Sequence, residues 1–382
     1  MKVLIYTHEF PPFQGGIATS AKRIAEIIST KNELIVCCPS YSIKNTDNNA
    51  YQIKRIDFPG GRNFKKIPLI QYFVGLLNLK NLVLKFKPDK ILYLGEEAEI
   101  VGSLFNSKVN NQIVRIAGSG IEAIIKSRNP IKIIPKYLLR RLYRNSSIII
   151  AVSKNTKMLM EGYEKFFPKE KIRLVYNGID ADFISKEKVR KIRKDLGFDE
   201  NDFVLLTVGR LLPRKGQDFV IKALSQINNP KIKYICVGEG RFLDKYKRLV
   251  SSLNLNERVF FVGGVTNKSI HEYYDAADLF VLCNRTWNSK IEGLPNVVLE
   301  SMARGVPAIG SRNSGTEELI IENKTGFLVN PYDVNDIINK INHAYATRKE
   351  LDQMGEQAKT FIKDNFNYNK MKDEYLRLID NE

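Results

Sequence analysis

Apolar runs of about five residues alternate along the whole chain with segments whose apolar residues recur at helical spacing. That alternation restricts the fold more than any single residue does. Strands separated by helices cannot pair as simple hairpins; they build βαβ units and parallel sheets with helices on their faces. The first unit reads as a strand at 2–6, a loop carrying Pro11, Pro12, Gly15 and Gly16, and a helix over about 18–30. Further strands are expected at 34–38, 90–94, 112–116 and 147–152, the run Ile148–Val152 reading as fully buried. The pattern then restarts: 203–209 is a strand feeding a loop and a helix at 217–227, and strands follow at 233–238, 258–262, 278–283 and 306–310. The plan is duplicated, two doubly wound α/β halves in tandem with no residue-level repeat. The joint falls between the turn signal Asn177-Gly178 and about residue 190. Ligands of open α/β sheets bind beyond the carboxyl ends of the strands, so two such sheets facing each other would hold theirs in a cleft between the halves.

A chain of 382 residues has room for two cores, and 43% hydrophobic with 27% charged residues excludes a disordered or collagen-like polymer. The excess of 60 Lys+Arg over 42 Asp+Glu is unevenly placed: residues 1–175 hold 29 against 13, and 176–382 hold 31 against 29. Two halves so different in charge are expected to meet different partners. Four cysteines (Cys37, Cys38, Cys236, Cys283) are too few for a disulfide scaffold and lack metal-ligand spacing. The apolar run at the N-terminus is too brief for a secretion signal, and no run approaches the 18 apolar residues of a membrane span. A reduced, cytoplasmic setting is the expectation.

Three segments carry chemistry. In Lys290–Pro307, Pro295 suits the first turn of a helix, Gly305 the left-handed position just past its end, and Pro307 stops continuation, so a helix is expected over about 295–304. Glu292 precedes it and Glu300 lies inside it. Free N–H groups and the positive end of the dipole make such a terminus an anion site. Two carboxylates beside it suit a phosphate flanked by hydroxyl-rich rings, because a carboxylate accepts from two vicinal hydroxyls. A nucleotide sugar is such a ligand; the plainer alternative is a helix-terminal carboxylate plus a solvated Glu. In Gly209–Gly216, Arg210, Arg214 and Lys215 crowd one turn between a buried strand and a helix, where Arg210 and Lys215 would meet a diphosphate unless the turn is merely solvated. In Phe10–Ile17, the pair Gly15-Gly16 lets backbone approach a phosphate or sugar, or simply makes a tight turn.

With these residues stand Val175–Asp180, Val208-Gly209-Arg210, Lys215-Gly216, Val237–Gly240, Phe261–Val265, Tyr274–Asp278, the Glu292-x7-Glu300 spacing and Thr325–Val329. Together they resemble the retaining glycosyltransferases of family 4 (glycosyl transferases group 1), which have the GT-B fold of two Rossmann-like domains facing across a cleft. The resemblance implies an N-terminal acceptor-binding domain at 1–178, a nucleotide-sugar-binding domain at 179–365, and a final helix within 366–382 crossing back to the first. It implies that Arg210 and Lys215 neutralise the diphosphate leaving group, that Glu292 contacts the donor sugar and that Glu300 holds the ribose hydroxyls. Backbone around Gly293, Leu294, Pro295, Asn296 and Val297 would cap sugar and phosphate, Val265 would lie by the base, and Gly15 and Gly16 would approach the phosphates. Arg210, Lys215 and Glu292 are the expected catalytic residues. Fixed cations and a helix terminus do what a metal would, so no metal or other cofactor is expected. In family members a His-Gly pair often follows the fourth strand of the first domain; here the run is Ile116-Ala117-Gly118-Ser119-Gly120, with Ala117 in the histidine's place. His8 follows the first strand, whereas His271 and His343 fall on helices and read as surface residues.

The basic half offers two stretches in which cations alternate with bulky apolar residues. The first, 62–90, holds Arg62, Lys65, Lys66, Lys80, Lys85, Lys87 and Lys90; the second, 126–144, holds Lys126, Arg128, Lys132, Lys136, Arg140, Arg141 and Arg144 among Ile131, Ile133, Ile134, Tyr137 and Leu138. Such a pattern suits an anionic bilayer, or else packs its apolar side on the sheet and shows lysines to water. The first reading makes the protein peripheral at the inner face of a cell membrane. Its acceptor would be a lipid-linked glycan of surface-polysaccharide assembly (lipopolysaccharide, O-antigen or capsule). No recognition motif or stacking platform points to nucleic acid. The rival readings are a catalytically impaired GT-B homologue acting as a partner subunit, for which Ala117 speaks, and another GT-B enzyme such as a sugar-nucleotide epimerase or phosphorylase.

Overall fold

A computed structural model describes the chain except for residues 14, 41–49, 59–67, 106–108, 110, 119–121, 180–191, 267–268, 288–291 and 381–382. Two compact units emerge, Met1–Asn177 joined by Asn369–Glu382, and Gly178–Tyr368. In the first, β1 (Lys2–Thr7), β2 (Glu33–Pro39), β3 (Gln52–Ile56), β4 (Lys90–Leu94), β5 (Asn111–Ile116), β6 (Ile148–Ala151) and β7 (Ile172–Leu174) lie in the order β3-β2-β1-β4-β5-β6-β7. All pairs are parallel, with Val3 in register with both Leu34 and Lys90. In the second, β8 (Phe203–Val208), β9 (Ile232–Val237), β10 (Val259–Gly263), β11 (Leu279–Leu282), β12 (Ala308–Ser311) and β13 (Gly326–Val329) run β10-β9-β8-β11-β12-β13, again all parallel. Both are doubly wound α/β sheets. The order reverses beside the first strand of each, so each unit has one switch point, between β1 and β4 and between β8 and β11.

The short strands β3, β7 and β13 went unread in the sequence. β3 alternates exposed and half-buried residues at a sheet edge, while β7 and β13 are only three and four residues long, too short to show a period. The central strands are buried almost throughout, as continuous apolar runs covered on both faces must be. Each unit has its own core, one built on Leu4, Tyr6, Tyr93 and Val114, the other on Leu205, Tyr234, Val281 and Phe327.

The final helix, Tyr368–Asp380, belongs to the first unit. Lys90 corrects the reading that placed it on a basic surface: it is 2% exposed, and its Nζ donates to the Ile379 carbonyl at 2.5 Å. The fully buried Arg115 of β5 donates to Asn177 Oδ1 at 2.5 Å, tying the end of the first unit's main segment to its sheet. Helix Glu96–Leu104 and helix Ile133–Asn145 are joined by a buried bond in which the Tyr143 hydroxyl donates to Glu99 Oε2 at 2.7 Å. Burial pushes the Glu99 carboxyl up to about 8, so near neutrality it pairs with the phenol largely as a neutral acid.

Candidate active site at the second switch point

The loop after β8 becomes a 3-10 turn at Pro213–Lys215 and then helix Gln217–Gln226. Gly216 makes that change of direction possible: its φ is +79°, and a Cβ there would sit 1.9 Å from the Cys283 carbonyl oxygen at the end of β11. Backbone therefore packs on backbone across the switch point. The Arg285 N–H donates to the Arg214 carbonyl at 2.9 Å and closes the same junction.

This packing brings together residues far apart in sequence. Lys215, 9% exposed, donates from Nζ to Glu292 Oε1 at 2.9 Å. Arg214 Nη1 lies 3.2 Å from Glu292 Oε2, within ion-pair distance though without hydrogen-bond alignment. Burial alone would raise the Glu292 carboxyl, but the Lys215 and Arg214 cations outweigh it and hold it at about 2. Burial pulls the Lys215 ammonium below the ordinary lysine range, and Glu292 opposes that pull. Glu292 is ionised at neutral pH. Arg210 stands exposed at the start of the same turn. Three cations around one carboxylate leave an excess of positive charge at the carboxyl end of a parallel sheet.

Glu292 leads through buried Gly293, Leu294, Pro295 and Asn296 into helix Asn296–Ala303, on which Val297 is half-buried. The helix starts one residue later than expected. Pro295 has a ψ of 109°, outside the helical range, and caps the helix instead of occupying its first turn, while Gly305 takes the expected left-handed φ of +80°. The loop is clamped from behind, because a Cβ on Gly315 would lie 1.2 Å from the Gly293 carbonyl oxygen. Glu300, inside this helix, accepts from the Tyr274 hydroxyl at 2.8 Å. Val265 is half-buried in the loop after β10.

Two contributors escaped the sequence reading. Arg214 looked like one more cation in a basic turn, and only the fold aims it at Glu292. In the sequence Tyr274 stands only within the Tyr274–Asp278 segment of the resemblance; its fully buried ring packs on helix Ile270–Ala276 and its hydroxyl reaches Glu300.

The remaining expected residues lie in the first unit. Gly15 caps helix Gly16–Ser29 with extended backbone (φ 166°) and ordinary contacts around a would-be Cβ, so neither strain nor crowding demands glycine there. Ala117 follows β5 half-buried; Ser119 and Gly120 lie outside the described residues. His8 is buried, with Nε2 3.1 Å from the Tyr6 hydroxyl and its ring against Phe58. His343 is exposed, but His271 is half-buried with Nδ1 3.4 Å from Arg304, which corrects its surface assignment.

The second basic stretch divides in two. Lys126 pairs with Glu122, Lys136 donates to the Ser127 carbonyl and Arg141 donates to the Ser103 carbonyl at 3.0 Å, so these three cations serve local structure. Arg128 and Arg140 are exposed and Lys132 half-exposed. Leu139, Leu142 and Tyr143 pack inward, whereas Ile131, Ile133, Ile134 and Tyr137 are 63–81% exposed. In the first stretch, Arg62, Lys65 and Lys66 lie outside the described residues; helix Pro68–Phe86 shows Phe73, Leu77 and Leu84 beside exposed Lys80 and Lys85. No described helix is long and apolar enough to cross a membrane.

The family model described as Glycosyl transferases group 1 matches residues 188–361, and the Glycosyltransferase Family 4 model matches 14–183. Together they leave only the first 13 residues, a four-residue joint and the last 21 unmatched. The chain is 26% identical over 375 residues to the GDP-mannose-dependent alpha-(1-6)-phosphatidylinositol monomannoside mannosyltransferase of Mycolicibacterium smegmatis, covering 96% of this chain and 95% of that one. It is 27% identical over 331 residues to the UDP-Gal:alpha-D-GlcNAc-diphosphoundecaprenol alpha-1,3-galactosyltransferase of Escherichia coli, covering 83% of each. Among solved structures, sucrose-phosphate synthase from Thermosynechococcus elongatus superposes with a TM-score of 0.85 at 18% identity, over 100% of this chain and 98% of that one. Anabaena HepE in complex with UDP and glucose superposes with a TM-score of 0.82 at 20% identity over the full length of both. Two doubly wound sheets with these matches define a glycosyltransferase of the GT-B fold. The chain belongs to glycosyltransferase family 4, the glycosyl transferases group 1.

Proposed function

We propose that the protein moves a sugar from a nucleoside-diphosphate sugar to a hydroxyl of a membrane-held glycan acceptor, with retention of configuration and without a metal or other cofactor. The observation that carries the donor half is the buried Lys215–Glu292 pair with Arg214 beside it and Arg210 exposed at the same switch point. Breaking the bond between sugar and diphosphate develops negative charge on the leaving group. Fixed cations meet that charge more strongly in the transition state than in the ground state, which is what accelerates the step. Arg210 and Lys215 act on the diphosphate, Glu292 accepts from donor-sugar hydroxyls, and Glu300, oriented by Tyr274, accepts from the ribose. The backbone of 293–297 caps sugar and phosphate, and Val265 borders the base. Retention follows when the acceptor hydroxyl attacks from the face the diphosphate is leaving, its proton passing to a leaving phosphate oxygen. The relatives named for GDP-mannose and UDP-galactose support a nucleoside-diphosphate donor.

Thermal shift against a panel of nucleoside diphosphates and their sugars, at fixed salt, tests the donor site, because a ligand that binds only the folded state raises the melting temperature. One nucleotide family should stabilise the protein, and Glu300→Ala should abolish most of that shift. Unchanged affinity for the bare nucleotide in Glu300→Ala would remove Glu300 from the ribose.

The membrane half of the proposal is supported by the outward apolar side chains at 131–137 and the cations Arg128, Lys132 and Arg140 around them. Relatives named for a phosphatidylinositol monomannoside and a diphosphoundecaprenol sugar agree with a lipid-linked acceptor. A cation near an anionic bilayer is worth about 1 kcal/mol, so reversing all three to Glu should weaken binding to anionic vesicles by at least about a hundredfold. Donor hydrolysis should be untouched. Vesicle binding that survives the triple reversal places the membrane surface elsewhere.

A further inference from the structure

A polar cavity opens beside the switch point, beyond the carboxyl ends of β11, β12 and β13, with a volume of about 260 Å³. That is the room of about nine waters at ~30 Å³ each, enough for one pyranose ring and too little for an oligosaccharide. None of its described lining residues is acidic, although Asp218 and Glu322 pair with its two arginines. Three are asparagines, Asn284, Asn313 and Asn330, two are arginines, Arg285 and Arg312, and Tyr332 forms an exposed aromatic wall.

The donors in this lining are not used up by the fold. Asn284 is 1% exposed, its Oδ1 accepts from Thr316, and its buried Nδ2 has no hydrogen-bond partner. Arg285 gives Nη2 to Asp218 at 2.6 Å and lays its guanidinium on the Phe219 ring, while its buried Nη1 has no hydrogen-bond partner. Arg312 is half-exposed and lies 3.5 Å from Glu322, but Lys340 already holds that carboxylate at 2.6 Å. The guanidinium charge of Arg312 is therefore only weakly answered. Tyr332 is fixed in place, its hydroxyl accepting from the Thr286 N–H at 3.1 Å and donating to the Thr286 carbonyl at 3.4 Å.

Planar amides and guanidinium groups can each bridge vicinal hydroxyls, an aromatic face suits the apolar face of a sugar ring, and two buried donors without partners, Asn284 Nδ2 and the charged Arg285 Nη1, favour a ligand rich in acceptor oxygens such as a carboxylate or phosphate. We infer that this cavity is a subsite for a single sugar unit carrying a carboxylate or phosphate, an anionic residue of the acceptor glycan. The inference rests on the reading of the acceptor as a glycan. The cavity wall is also part of the donor region: Arg285 donates its backbone N–H to Arg214, whose side chain meets Glu292. A sugar bound here would sit one loop away from the charge cluster.

Ligand-observed NMR on the full chain tests this with four probes: methyl glucuronide, glucose 6-phosphate, methyl glucoside and inorganic phosphate. One of the two anionic sugars should bind and the neutral glucoside should bind at least roughly tenfold more weakly, since a hydrogen bond to a charged group is worth more than a neutral one. Arg312→Gln should weaken the anionic sugar by roughly tenfold or more, and Tyr332→Ala should reduce saturation transfer to the ring protons. Both residues are exposed enough to replace without emptying the core, and neither lies in the donor machinery, so nucleoside-diphosphate stabilisation should persist in both variants. Equal binding of the neutral glucoside overturns the anionic preference, and inorganic phosphate binding as tightly as the sugars overturns the sugar site. Absence of any binding, or indifference to Arg312→Gln, overturns the inference as a whole. Loss of the nucleotide shift in the unmodified protein would instead count against the donor site and leave sugar binding here readable.

Discussion

Lys215→Ala should lower turnover by roughly 10²–10³-fold, the usual cost of removing one preorganised group that stabilises developing negative charge. Lys215 earns that expectation from its position: it is buried, held 2.9 Å from Glu292, and placed at the carboxyl end of β8 beside the switch point. The same change should also destabilise the protein, because among the described residues Glu292 would keep only Arg214, 3.2 Å away, within ion-pair distance, with Arg210 farther off. Breaking one side of a buried pair costs about 3–5 kcal/mol, and the surviving Arg214 puts this case at the lower end. The two effects separate in the double variant Lys215→Met/Glu292→Gln, which removes both charges. Stability measured by denaturant should largely return, while turnover per folded molecule should not. Undiminished turnover in folded Lys215→Ala would remove Lys215 from the leaving group.

Gly216→Ala should destabilise the second unit by at least about 3 kcal/mol, in the range reserved for backbone conflicts and lost packing. Two penalties combine. A left-handed φ of +79° costs an alanine about 1–2 kcal/mol, and its methyl would overlap the Cys283 carbonyl oxygen, 1.9 Å from the Cβ position. Gly197 supplies the control, with a φ of +72° and no atom within 4 Å of its would-be Cβ. Gly197→Ala should therefore cost only the conformational strain, about 1–2 kcal/mol. Urea denaturation of the two variants gives the comparison, and equal losses would show that the approach of Gly216 to β11 contributes nothing. In Gly216→Ala the turn carrying Arg214 and Lys215 must also shift from Glu292, so donor turnover should fall in whatever fraction remains folded.

Much of this was legible along the chain. Strands such as Phe203–Val208 and Leu279–Leu282 are runs of apolar residues that have no other place than a sheet covered on both faces. Gly305 announced the end of a helix that follows Glu292 and contains Glu300, because capping is local chemistry. What stayed hidden depended on partners distant in sequence. Lys90 looks like any surface lysine until the C-terminal helix brings the Ile379 carbonyl to it, 289 residues on. Pro295 was expected inside the helix, yet the loop it closes is pressed against Gly315, and it caps the helix instead. Ile131, Ile133, Ile134 and Tyr137 carry the same apolar signal as their buried neighbours Leu139 and Leu142, and only the packed helix distinguishes the outward ones.

Alternating apolar segments, the glycines at turns and the charge split between the halves were determined by the sequence alone, because each is a property of neighbouring residues or of composition. Tertiary structure decided where each cation of the turn sits. The sequence reading singled out Arg210 and Lys215 and left Arg214 aside, but the approach of Gly216 to the end of β11 buries Lys215 against Glu292, turns Arg214 to the other carboxylate oxygen and leaves Arg210 exposed. In the basic half, the fold likewise gives Lys126, Lys136 and Arg141 to local partners and leaves Arg128 and Arg140 facing outward. A charge becomes functional through its neighbours in space, whose low dielectric and unpaired atoms set its strength, and those neighbours are assembled only when the chain closes on itself.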